Sequence, residues 1–75
     1  MITTSELNEF DLAMRRKIAE RIKEEMKKKK LSPYRLSVLA EVSQHTVEDI
    51  LKGKNWTVRC GSRVMYCLGI NVYVL

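Results

Sequence analysis

Leu7, Phe10, Met14, Ile18, Ile22 and Met26 recur at intervals of three and four residues, with Ala13 and Ala19 adding to the stripe. That is the period of an amphipathic helix. Residues 1–4 read as a loose terminus, and Thr3 and Glu6 have the spacing of a capping box, so a helix begins near them. The pattern fits one helix over about residues 5–29, or a short helix that breaks near a second cap at Asp11. The part from Arg16 to Lys30 is helical on either reading. Lys27 to Lys30 sit where cations offset the helix dipole. The run reads as a solvated helix end before it reads as a contact for a polyanion.

Residues 31–53, LSPYRLSVLAEVSQHTVEDILKG, carry a different pattern. Ser32 can cap free backbone N–H groups, and Pro33 stands at the first helical position, where its missing N–H costs nothing. Leu36, Leu39 and Ala40 fall on one face. A second cap, Ser43, opens a helix in which Val47, Ile50 and Leu51 share a face, and Gly53 supplies the stop. Only about three residues separate the two helices, which is the loop length of a helix-turn-helix.

Beyond a loop at Lys54, Asn55 and Trp56, Thr57 can cap a further helix reaching about Leu68, with Val58, Val64, Met65 and Leu68 apolar and Cys60 and Cys67 nearby. Gly61 lies inside it, at a cost of about 1 kcal/mol relative to alanine, and marks either a close approach or a kink. Trp56 reads as a core or loop anchor before a stacking group. Gly69 ends the helix, and INVYVL over residues 70–75 is a candidate strand.

The 75 residues suffice for one domain with a modest core. Fourteen Lys and Arg against nine Asp and Glu give a net charge of +5, a balance that suits a polyanion such as nucleic acid. No segment approaches the length of a membrane span and the N-terminus has no signal-peptide pattern, so a cytoplasmic location is expected. Cys60 and Cys67 on one helix are separated by about 10 Å, too far for a disulfide. With the lone His45 they supply too few ligands for zinc. They read as reduced core thiols, and no cofactor or metal is expected.

These residues together resemble the lambda-repressor-like (Cro/XRE) helix-turn-helix family over about residues 18–70. The resemblance is carried by LSPYRLSVLAEVSQHTVEDILKG and by TVRCGSRVMYCLGI at the family's usual distance. Small Ser37 stands where the two motif helices cross, and Val42, Val47 and Ile50 occupy the positions that bury the second helix. The fold implied is an all-α bundle of four to five helices with a central helix-turn-helix, plus the short C-terminal strand. One domain spans residues 1–75, with 1–15 as an N-terminal extension or helix start. Three departures stand out. Glu41 replaces the usual turn glycine, Pro33 replaces a common glutamine, and Glu48 and Asp49 place two carboxylates on the second motif helix.

The resemblance implies a sequence-specific regulator of transcription, a repressor, that reads double-stranded DNA in the major groove. Base readout then falls to Gln44, His45, Thr46, Glu48 and Asp49, with Gln44 suited to a bidentate pair with adenine. Phosphate contacts fall to Ser43, Tyr34, Arg35, Lys52, Lys54, Asn55 and Arg59. A homodimer on two half-sites is expected, joined through the C-terminal strand or through the Leu7, Phe10 and Met14 stripe. The rival reading is a protein-interaction module of the same fold, an antitoxin-like or accessory subunit, favoured by Glu48, Asp49 and Pro33. An enzyme is not expected, since no cleft-forming set of catalytic groups can be assembled.

Overall fold

The computed structural model describes residues 3–54 and 56–70. They form four helices: α1 (Thr4–Lys29), α2 (Pro33–Ala40), α3 (Gln44–Leu51) and α4 (Val58–Cys67). The described chain is all-helical.

Each helix starts where its cap predicts. Thr3 and Glu6 form the full capping box: Thr3 Oγ1 accepts from Glu6 N–H at 3.1 Å, and Glu6 returns a bond to the Thr3 N–H at 3.3 Å. Ser32, Ser43 and Thr57 cap the other three helices, accepting from the N–H groups of Arg35, Thr46 and Cys60 at 3.1, 3.1 and 3.2 Å. α1 is the long helix, without a break at Asp11. The Asp11 side chain instead pairs one turn on with Arg15 at 3.0 Å, an interaction that supports helix continuation.

The helices end in left-handed residues. Lys30 (φ 54°) closes α1, Glu41 (φ 56°) closes α2, and Gly53 (φ 74°) and Gly69 (φ 70°) follow α3 and α4. Glu41 thus takes the conformation that glycine adopts without cost, and the turn keeps its shape around a strained residue. The N–H of Val42 then returns to the Ser37 carbonyl at 3.1 Å.

One core joins all four helices: Ile18, Ile22 and Met26 from α1, Leu36 and Ala40 from α2, Val47 and Ile50 from α3, and Val64 and Met65 from α4, completed by Leu68 and Ile70. α2 packs on both α3 and α4, and α1 lies against α3. Ser37 is buried between helices, its hydroxyl donating to the Tyr34 carbonyl at 2.6 Å, so its small size and its polar group are both accommodated.

Gly61 marks a close approach. An added Cβ would lie 2.2 Å from the Trp56 ring, so the indole packs directly against bare helix backbone. Two apolar expectations are corrected: Leu39 and Val58 lie outside the core, 54% and 78% exposed. The first half of the α1 stripe, which the sequence left open as a joining surface, also lies outside the core, because α1 outruns the bundle: its first buried residue is Ile18. The 26 residues of α1 span about 39 Å at 1.5 Å per residue, and they account for the 42 Å long axis. Among the described residues there is no strand. Ile70 turns into the core and its N–H bonds the Met65 carbonyl at 3.0 Å, while residues 71–75 of the candidate strand lie outside the described residues.

Candidate recognition surface

The start of α3 is held by Ser43. Its hydroxyl caps the Thr46 N–H and also meets the Thr46 hydroxyl at 2.8 Å, so Ser43 and Thr46 satisfy each other before any ligand arrives. One turn along, the Gln44 amide donates to the Glu48 carboxylate at 3.3 Å. The His45 imidazole stands 3.3 Å from the Asp49 carboxylate. These are pairs at i and i+4, the spacing that brings helical side chains face to face. Of the five side chains assigned to base readout, four therefore fall into two pairs in which an acid occupies the amide or imidazole, and the fifth, Thr46, is held by Ser43.

The residues assigned to phosphate contact spread over several elements. Tyr34 and Arg35 are exposed in the first turn of α2. Arg59, on α4, lines a cleft of about 330 Å³ with Glu41, Val42 and Ser43, so the tertiary fold carries it to the start of α3. Lys52 and Lys54 stand at the other end of α3. Asn55 lies outside the described residues.

Sequence reasoning missed what α1 brings to that far end. Asn8, Asp11, Leu12 and Arg15 line a cleft of about 600 Å³ together with Asp49, Gly53 and Lys54. Arg16, Glu20 and Lys23 line a smaller groove with Lys52. No local signal joins residues separated by 29 or more positions; only the packing of α1 on α3 does. Also missed was Glu25, a buried acid at the centre of Lys29 (2.8 Å), Arg21 and Lys28 (3.5 Å). The hydrogen bonds from Lys29 and Arg21 hold its carboxyl at about 2, well below its ordinary value of 4.5. Cys67, the partly buried thiol on α4, donates to the Leu39 carbonyl at 3.3 Å and ties α4 to α2.

Comparison with known protein families, with curated proteins and with solved structures finds no match to this chain. Among the described residues, no helix is long and apolar enough to cross a membrane.

The partner expectations are corrected, since neither duplex DNA nor a second copy gains support. For DNA, Gln44 and His45 are engaged by carboxylates of their own helix, and Asp11 with Asp49 lines the cleft that also holds Lys54. Groups that should meet phosphates and base edges thus lie among fixed negative charges, which repel phosphate. For the homodimer, the core closes within one chain from Ile18 to Ile70, so the fold does not need a second copy. Of the strand meant to join two copies only Ile70 is described, and it lies in the core of its own chain.

Proposed function

We propose that this chain is a lambda-repressor-like domain of the Cro/XRE type, cytoplasmic, that works as a protein-interaction module: an accessory or antitoxin-like subunit. The order of caps, the three-residue turn and the burial of Val47 and Ile50 on Leu36 and Ala40 support the fold assignment.

The observation that carries the function is the first half of α1. Residues 4–14 form about three turns of helix that bury nothing in the domain's own core, yet carry Leu7, Phe10 and Met14 at helical spacing, with Phe10 67% exposed. Single exposed apolar residues are ordinary on a protein surface. A stripe of three on a helix that leaves the bundle is the pattern by which helices dock into partner proteins.

The test is co-purification of the tagged full chain from its host after nuclease treatment. A defined protein stoichiometry that survives nuclease and is lost in a Leu7→Ala/Phe10→Ala variant is the expected result. Anisotropy against duplex pools at several salt concentrations supplies the opposing outcome. Selection of one duplex site, with log K falling linearly in log salt, would replace this reading by the transcriptional role that the motif usually serves.

A further inference from the structure

Charge is segregated along this chain. The first fourteen residues hold Glu6, Glu9 and Asp11 and none of the fourteen cations, all of which begin at Arg15. Asp11 is neutralised by Arg15 at 3.0 Å, which leaves Glu6, one of whose carboxylate oxygens also accepts from the Thr3 N–H, and Glu9 as the outward charges of the projecting helix. A domain of net charge +5 therefore presents an acidic, apolar arm.

We propose that residues 4–14 act as a helical ligand, inserting Leu7, Phe10 and Met14 into an apolar groove with a cationic rim on a different protein. The proposal rests on the interaction-module reading and names the chemistry of its partner. The three side chains stand at i, i+3 and i+7, the anchor spacing of a helix laid in a groove. Phe10 is the central anchor, because aromatic side chains supply large contact area for little rotamer entropy. The rim follows from Glu6 and Glu9: opposite charge at the edge of an interface steers docking and sets partner choice, and like charge is penalised. The same acids argue against a bilayer, since helices that lie on anionic membranes carry lysine and arginine on their polar face.

A synthetic helical hairpin with a leucine-lined groove supplies the probe, made in two versions whose rims carry lysine or glutamate. The labelled full chain is titrated with each at low and high salt. Tighter binding of the lysine-rimmed hairpin, by roughly tenfold at low salt and converging at high salt, is expected, together with a loss of roughly tenfold or more in Phe10→Ala. The global charge of +5 predicts the reverse preference, so the sign of the difference is decisive. Equal or tighter binding of the glutamate rim, still dependent on Phe10, overturns the cationic partner and leaves the interaction module standing. Binding of neither hairpin, or binding indifferent to Phe10→Ala, overturns the arm as a ligand. Concentration-dependent self-association abolished by Phe10→Ala overturns it in favour of a second copy. Phe10 is exposed, and unchanged far-UV circular dichroism of the variant separates lost binding from lost fold.

Discussion

Replacing Gly61 by alanine sets two effects of opposite sign against each other. Alanine improves helix propensity at this position by about 1 kcal/mol. Its Cβ, however, would stand 2.2, 2.5 and 2.9 Å from Cζ3, Cε3 and Cη2 of Trp56, inside any tolerable contact distance. The indole is a rigid plate, so it must move as a whole. A buried Trp hides on the order of 200 Å², and exposing half of that costs about 2.5 kcal/mol at about 25 cal/mol per Å². Some of this is returned, because the Trp56 indole N–H is buried without a partner and regains water when the ring swings out. With about 1 kcal/mol gained in propensity and about 1 kcal/mol returned at the indole N–H, the net expectation is a loss of about 0.5 kcal/mol, or roughly 2–4 °C in Tm for a domain of this size. Thermal and urea denaturation followed by far-UV circular dichroism measures it. The only tryptophan of the chain reports the cause: its emission should shift to the red in Gly61→Ala before unfolding begins. In a Trp56→Ala background the clash is gone and the same substitution should stabilise by about the propensity difference. A Gly61→Ala protein that melts at or above the parent with unchanged emission would mean that the Trp56 indole does not press on this glycine.

Glu41→Gly removes a left-handed non-glycine residue at the cost of only an exposed ion pair to Arg63 at 3.5 Å. A gain of about 0.5–1 kcal/mol is expected in urea titration, because strain relief exceeds the extra chain entropy of glycine and surface pairs contribute little. Leu36 is fully buried where α2 meets the rest of the core. Leu36→Ala should cost about 2–5 kcal/mol, a large part of the stability of a domain this small, and chemical denaturation would show it directly. Glu25 sets an acid dependence: its carboxyl titrates near 2 in the folded protein and near 4.5 when free. Its stabilising contribution is complete above the free value and is lost as pH falls toward 2. Acid unfolding of the parent should therefore steepen between about pH 5 and 2, and Glu25→Gln should flatten that segment. Identical acid profiles would sink the assignment.

The helices themselves were legible in the residues. Ser32, Ser43 and Thr57 satisfy orphan N–H groups through bonds confined to four residues, so their signal is local and their helices begin where they stand. Leu36, Val47 and Ile50 were legible for the same reason, since a period of 3.6 assigns a face without knowledge of what covers it. Periodicity cannot say where the covering stops. The α1 stripe runs unbroken from Leu7 to Met26, yet only its second half is buried in the core, and Leu39 and Val58 share faces with core residues but lie outside the bundle.

Composition and order of residues thus determined four caps, four helices and the faces they would bury, because each depends on neighbours within about one turn. Tertiary structure alone decided that α1 outruns its bundle and leaves an apolar stripe in water. It also decided that Asp11 lines a cleft with Lys54, that Glu25 is buried in a cage of cations, and that Trp56 lies on Gly61. Gln44 and His45 stand between the two cases: the spacing to Glu48 and Asp49 is written in the chain, but which neighbour each side chain takes is settled only by its surroundings. Contacts between elements depend on where each helix ends relative to the others, and no local bond encodes that.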